Sequence, residues 1–345
     1  MKTGVPLSER RAVVWPAEWE PQSHVWLGWP RLPDEWGDHF DPARREIAAL
    51  AEVMAAHTPV RLAVGDDYAN KVAKAALPSS VERVRVPTGD VWLRDTGPVF
   101  VMRHGALEAN VFAFNGWGGK YTMAGDTETA AAMAEASGTL HRAHPFILEG
   151  GAIDTDGHGQ VITTRQCLLN PNRNGWDEQA AEQALHASVG ARRVHWLDRG
   201  LSGDHTDGHV DNIARFIAPD TVICQAATGP DDPHAARLAE IEAALRETGL
   251  TVATVPSPGR VTGTDGEALP ASHLNFTITN GAVIVPVYDD DTGADTVAVL
   301  KPLFPDREVI ALPARAILSG GGGAFHCMTC HVPKLSVSDP GAPDP

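Results

Sequence analysis

Five times along this chain of 345 residues a helical stretch gives way to a β-rich run, and that recurrence excludes most folds before any single residue is considered. Helices are predicted to start near 66, 126, 176, 233 and 293, spaced by 60, 50, 57 and 60 residues. Each leads into a run rich in apolar and β-branched residues, at 81–86, 140–147, 192–197, 251–255 and 307–312. Upstream, Asp41-Pro42 reads as an N-cap followed by proline at the first helical position, opening a helix to about His57, with a strand over 60–64 behind it. After four of the five β runs comes a polar, glycine-containing segment, at 92–98, 148–151, 207–212 and the glycine run ahead of Cys327. The fourth unit offers Ser272-His273-Leu274-Asn275, with less obvious chemistry.

Such a series fits an α/β protein in which five units repeat radially around a centre, each aiming one short loop inward. An open doubly wound sheet would show the same alternation, but the polar loops fall at matching places in successive units, which favours the radial arrangement. No segment has the composition of a linker, so residues 1–335 are expected to form one domain, with 336–345 a disordered tail. Five of the nine tryptophans lie between 15 and 36, where they are expected to anchor an irregular N-terminal segment onto the core, one of them being a candidate pocket wall.

The formal net charge of −16 is spread along the chain, which argues against nucleic acid or an anionic membrane as partner and for attraction of a cation. Cysteines at 167, 224, 327 and 330 are too few and too uneven for a disulfide framework. With no apolar h-region at the N-terminus and no run of apolar residues long enough to span a bilayer, a cytoplasmic location is expected.

Residues 320–323 are four consecutive glycines, and they run into Ala324-Phe325-His326-Cys327-Met328-Thr329-Cys330-His331. Glycine runs are often flexible connectors and cysteines are often merely buried, yet a connector rarely ends in a cluster of thiols and imidazoles. Across the loops the chain offers a thiol in Cys327, an imidazole in His209 and carboxylates in Asp95, Glu149 and Asp211. Taken singly, each has a plain structural role: a cap, a turn or a satisfied buried histidine. Spacing strengthens one pair, since in a strand His209 and Asp211 would project from the same face. A thiol with a histidine suggests nucleophilic attack on a polar carbon, and several carboxylates suggest a cationic substrate. A guanidinium meets both demands, with N–H donors that carboxylates accept bidentately around an electrophilic carbon.

The segments Trp92-Leu93-Arg94-Asp95-Thr96-Gly97-Pro98, Phe114-Asn115-Gly116-Trp117-Gly118-Gly119-Lys120, Leu148-Glu149-Gly150-Gly151, Gly208-His209-Val210-Asp211-Asn212 and Gly321-Gly322-Gly323-Ala324-Phe325-His326-Cys327-Met328-Thr329 closely resemble motifs of agmatine deiminases and the related bacterial peptidylarginine deiminases. Trp15-Pro16-Ala17-Glu18-Trp19-Glu20-Pro21 resembles that family's N-terminal signature, so the likeness covers about residues 13–333 in order. It implies a five-bladed, pseudo-symmetric α/β propeller, the pentein fold of guanidino-group-modifying enzymes. It further implies Cys327 as nucleophile, His209 as acid and base, Asp95 and Asp211 as holders of the guanidinium nitrogens, and Glu149 as a residue that orients His209 and contacts substrate. Trp92 joins Asp95, Asp211 and Glu149 among the implied substrate-binding residues. The implied reaction is hydrolysis of agmatine to N-carbamoylputrescine and ammonia through a covalent thiouronium, a step of putrescine and polyamine biosynthesis, with no metal or organic cofactor. The partner would be a small cationic guanidino substrate, with no nucleic acid or membrane, and a homo-oligomer stays open. Peptidylarginine or another guanidine is the alternative substrate.

Three positions depart from the resembling motifs: Ala324 stands where asparagine is common, Cys330-His331 where glutamine follows, and His205 where an acidic residue is expected. They bear on the far end of the substrate. From another class, Cys327-Met328-Thr329-Cys330-His331 is also a literal C-x-x-C-H, which would make the chain a c-type haem electron-transfer protein. A zinc site from His326, Cys327, Cys330 and His331 would need four ligands within six residues, which leaves little room for tetrahedral closure.

Overall fold

The computed structural model describes residues 13–264, 266–288 and 292–335, and the expected tail at 336–345 lies outside them. The strands form five separate small sheets, and helices connect their parallel strands, so the chain is α/β. Four sheets share one plan: a short antiparallel hairpin, then a helix, then a strand parallel to the second hairpin strand. In the second sheet the hairpin is Val99–Arg103 with Ala106–Ala113, the helix Asp126–Ala136 and the returning strand Leu140–Ile147. The third uses Ile153–Thr155, Gln160–Thr164, Glu178–Val189 and Arg193–Leu197. The fourth uses Ala214–Ala218, Thr221–Ala226, Ala235–Glu247 and Thr251–Pro256, and the fifth Thr277–Ile278, Ala282–Val287, Gly293–Leu300 and Glu308–Pro313.

The first sheet is completed by the far end of the chain. Gln22–Gly28 pairs in parallel with Val60–Val64, and antiparallel with Thr329–Pro333, the last strand. The strand that follows Cys327 therefore locks the two ends of the described chain into one sheet. Gln22–Gly28 also corrects the expectation of an irregular N-terminal segment: its Val25-Trp26-Leu27-Gly28 run is buried, as a strand covered on both faces requires. Trp26, Trp29 and Trp36 are buried anchors as expected.

Local signals place some of the helix starts. Asp66 and Asp177 accept hydrogen bonds from the backbone N–H of Ala69 and Ala180, the capping that satisfies otherwise orphaned donors. Asp41 does not cap: the helix Phe40–His57 continues directly from a 3-10 turn at Gly37–His39, so Asp41 falls within its first turn, where a carboxylate still favours the positive end of the helix. From this helix Glu46 accepts hydrogen bonds from the backbone N–H groups of Ala316 and Ile317 at 3.0 and 2.9 Å, which fixes the start of the helix Arg315–Gly321 leading into the glycine run. Ile47, fully buried beside it, packs with Leu50, Leu62, Ile284 and Ile317. Ile47→Ala is expected to cost about 2–5 kcal/mol of stability by opening a cavity there, measured from urea unfolding midpoints.

Candidate active site

Four loops from different units converge on Cys327. The 3-10 turn Gly150–Ala152 brings Gly151 to a point where only glycine fits: a Cβ there would stand 2.6 Å from His209 Nδ1, 2.8 Å from Asp95 Oδ1 and 3.1 Å from Asp211 Oδ2. The three sequence-selected groups thus surround one backbone atom. His209 and Asp211 are not in a strand, as the i, i+2 spacing had suggested, because Val210–Asn212 is a 3-10 turn. Their convergence comes from that turn and from Gly151 rather than from strand alternation.

Asp95 is held at both oxygens. Oδ1 accepts from the Gly151 N–H and Oδ2 from the Trp117 indole, each at 2.9 Å. Trp117 reaches it with a φ of 52°, a left-handed conformation that bulky residues rarely adopt, within a loop whose Gly116, Gly118 and Gly119 also have positive φ. His209 Nδ1 lies 3.6 Å from Asp95 Oδ1. Among the described residues neither ring nitrogen of this fully buried histidine has a hydrogen-bond partner, and Asp211 Oδ1 likewise has none. Asp211 Oδ2 receives His326 Nδ1 at 2.8 Å and stands 3.5 Å from Cys327 Sγ. Glu149 is engaged by the buried Arg173, whose Nε donates to it at 2.7 Å, and the carboxylate shares a cluster within 4.8 Å with His209 and Cys167.

Cys327 and Asp95 face a cavity of about 310 Å³ that also takes in Trp92, Asp90, His205 and the glycine run. The glycines are packed by indoles: a Cβ on Gly321 or Gly323 would come within 2.3 or 2.6 Å of the Trp92 ring. Three further participants escaped sequence reasoning. Asn275 clamps Cys327, its Nδ2 donating to Cys327 Sγ at 3.0 Å and its Oδ1 accepting from the Cys327 N–H at 3.2 Å. It sits in the fourth unit's loop, and its matching place in the repeat was the available signal. Arg173 comes from the polar run Asn170-Pro171-Asn172-Arg173-Asn174, and Glu18 from the N-terminal signature.

The profile of the Porphyromonas-type peptidyl-arginine deiminases matches residues 14–333. The chain belongs to that family. The agmatine deiminase of Pseudomonas aeruginosa is 36% identical over 351 residues, covering 92% of this chain and 95% of the relative. The solved agmatine deiminase of Enterococcus faecalis superposes with a TM-score of 0.89 at 29% identity, covering 97% of this chain and 99% of the other. An amidinotransferase from Microseira wollei, at 13% identity and a TM-score of 0.52 over 94% of this chain and 97% of the other, shares the fold alone.

Electrostatics give this deiminase-family site its character. Burial pushes the Cys327 thiol well above its ordinary range, and the negative charges of Asp211 and Asp95 add to the shift. Burial by itself would lower His209, but Asp95, Cys167 and Glu149 overcome it and hold the imidazole well above its usual value. Asp95 and Glu149 are raised by burial despite their partners, whereas for Asp211 the effect of burial is outweighed by His326, His209 and Arg215, which bring it below the ordinary range. Among the described residues Asp211 Oδ1 alone of the Asp95 and Asp211 carboxylate oxygens is left without a donor near the thiol.

The C-x-x-C-H sequence does not act as one unit. Cys330 packs among Trp26, Leu93 and Phe100 with its thiol directed at the Pro98 carbonyl at 3.2 Å, and burial raises it to about 12. His331 Nδ1 accepts from Arg94 at 2.7 Å and Nε2 lies 3.2 Å from Thr277 Oγ1, so both nitrogens are already used. That removes the axial ligand a haem would need, and among the described residues the four candidate zinc ligands form no coordinating cluster. Alkylation of Cys327 by iodoacetamide should be slow at pH 7 and faster in Asp211→Asn, about tenfold for each unit by which the thiol pKa falls. An unchanged or slower rate in that variant would free the thiol from Asp211's influence.

Proposed function

We propose that the chain hydrolyses a guanidino substrate, agmatine first, to the ureido product N-carbamoylputrescine and ammonia, acting on a C–N bond of a linear amidine. The observation that carries this reading is a buried thiol that lines a cavity together with Asp95 and has Asp211 3.5 Å behind it, with no lysine or arginine among the cavity's described lining residues. A planar cation with several N–H donors is what such a set of acceptors would bind. The free arginine α-carboxylate, or that of a C-terminal peptidyl-arginine, would meet no lysine or arginine among the described lining residues, and the nearby Lys120 is already paired with Asp207 at 2.6 Å, which favours an amine tail over peptidylarginine. Two relatives carrying the name agmatine deiminase agree.

In this reading the guanidinium settles between Asp95 and Asp211, and its charge offsets the repulsion that holds the Cys327 proton in place. The Cys327 proton is released to solvent through the cavity, and the thiolate forms a C–S bond to the guanidinium carbon as the C=N π electrons move onto nitrogen, giving a neutral tetrahedral adduct. His209 gives its proton to the departing nitrogen, the C–N bond breaks, and ammonia leaves a thiouronium on Cys327. His209, now neutral, takes a proton from water as the new C–O bond forms; the C–S bond then breaks, the carbonyl of the ureido product forms, and the remaining hydroxyl proton returns to the Cys327 sulfur. Glu149, fixed by Arg173, supports the charge on His209; Asn275 holds the sulfur in line; Trp92 walls the substrate. None of these steps calls for a metal or organic cofactor.

We further propose that the five sheets are the blades of a propeller in one catalytic domain, a reading supported by their shared plan and by the last strand pairing with Gln22–Gly28. Among the described residues no helix is long and apolar enough to cross a membrane, and all four cysteines are free, in keeping with a reducing cytoplasm.

Cys327→Ser should abolish turnover, because an alcohol is hardly ionised near neutrality, while Cys330→Ser retains most activity. Equal losses, or a covalent adduct trapped on Cys330, would refute the assignment. His209→Ala should lower kcat by about 100-fold or more, since one imidazole serves both halves of the reaction. The substrate itself is tested by kcat/KM for agmatine, free arginine and C-terminal peptidyl-arginine, with ammonia and ureido product both quantified. A tenfold preference for the peptide would reassign the chain to peptidylarginine, and absence of ureido product from every guanidine would end the deiminase reading.

A further inference from the structure

Asp90 lines the same cavity as Cys327 and is nine-tenths buried, with 8% of its surface exposed. Its two oxygens are each fixed by an indole: Oδ1 accepts from Trp36 at 3.0 Å and Oδ2 from Trp92 at 2.9 Å. The rings lie 6.0 Å apart and within 17° of parallel, pressed against the glycine run. Both indole N–H groups are therefore consumed by one carboxylate, which leaves the ring faces to pack hydrocarbon.

The donors that fix Asp90 are neutral. Among the described residues no lysine, arginine or histidine pairs with it, whereas Glu149, Asp207 and Glu18 each meet an arginine or lysine at 2.9 Å or less. Burial raises Asp90 to about 6, against the two indoles and the Val91 N–H, with Asp126 adding to the rise, so at pH 8 it stands as an anion in the cavity wall.

Other residues that could meet the far end of a substrate are less suited to a positive charge. His205 is stacked on Tyr121 with its Nδ1 3.0 Å from the phenolic oxygen, and Lys120 donates to its carbonyl at 2.8 Å, placing an ammonium beside it. Glu35 and Glu267 also line the cavity but are exposed, where water weakens a charge interaction about fourfold relative to a partly buried one.

We propose that Asp90 is a specificity-determining residue that selects guanidines whose alkyl tail carries a second positive charge. The inference rests on the guanidine-deiminating reading above and adds to it where the tail is recognised. With the guanidinium between Asp95 and Asp211 and the methylenes against Trp92, a terminal ammonium gains an anion that the protein itself leaves unneutralised.

The test compares agmatine with butylguanidine, which shares the four-carbon chain and lacks only the terminal ammonium, by kcat/KM at pH 8. The wild-type protein should prefer agmatine by about tenfold or more, and Asp90→Asn should lose about tenfold on agmatine, through KM, while butylguanidine changes by less than about twofold. Equal losses on both substrates would reduce Asp90 to a prop for the tryptophans and overturn the proposal. So would a wild-type protein that treats the two alike, a result that needs no variant to fold. Absence of ureido product from both in the wild type is a separate outcome, in which the deiminase reading falls and takes the subsite with it.

Discussion

One buried carboxylate ties the centre of this molecule together. Glu18, from the N-terminal signature, accepts hydrogen bonds from Arg215 at 2.9 Å, Arg94 at 3.3 Å and the Ile278 N–H at 2.7 Å, and it meets His326 Nε2 at 2.9 Å. Arg215 reaches on to the carbonyls of Leu274 and Phe276 and lies 3.6 Å from Asp154. Strands of the first, third, fourth and fifth sheets, through His331, Asp154, Arg215 and Ile278, and the turn carrying Arg94 therefore meet in one buried ionic cluster. Burial alone would raise Glu18, but its partners outweigh it and hold the carboxyl well below the ordinary range; His331, itself pushed down to about 3, is neutral near pH 7, so Arg215 and the hydrogen-bonded His326 carry the effect there. Removing one member of such a network strands the others in a dry interior, at a cost of about 3–5 kcal/mol.

This cluster also reaches the Cys327 sulfur. His326 touches Glu18 with one nitrogen and Asp211 with the other, and Asp211 faces Cys327. The sequence separation between Glu18 and His326 is 308 residues, so the geometry around Cys327 exists only when both ends of the chain are in place. The pairing of Thr329–Pro333 with Gln22–Gly28 secures the same join by backbone hydrogen bonds.

Much of the scaffold was legible because it is written in local chemistry. Helices expected near 66, 126, 176, 233 and 293 begin at Asp67, Asp126, Glu178, Ala235 and Gly293, and the five β runs appear within a residue or so of their expected bounds. Caps, turns and β-branched runs act over a few residues, and a reader of sequence sees them. Gln22–Gly28 was missed as a strand because its partners lie elsewhere in the chain, and a proline on either side suggested irregular structure. Within the site, Asp95, Glu149, His209, Asp211 and Cys327 were visible as reactive types in matching loops. Asn275, Arg173 and Glu18 were not, since what makes them matter is a contact across the molecule and not a pattern along it.

The charges at the centre fall into two sets with opposite effects on the fold. Glu18 and Asp211 have depressed values, so they contribute stability that is present above their unfolded pKa and lost as pH falls through the folded one. Asp90, Asp95 and Glu149 are raised by burial, so at neutral pH their ionised forms oppose folding. Cys327 is raised as well; it remains protonated in the folded chain above the pH at which an unfolded thiol ionises, and folding is opposed there too. The first set is satisfied by arginines and histidines of the protein itself. In the second, Asp95 and Asp90 line the cavity without an arginine or lysine partner among the described residues, and a bound cation would supply what the protein withholds. A ligand that binds only the folded state returns the difference as stability and as affinity together. The same repulsion that keeps Cys327 protonated in the empty cavity would be relieved by that cation, so the nucleophile would ionise when its target is in place and stay protected from other electrophiles when it is not.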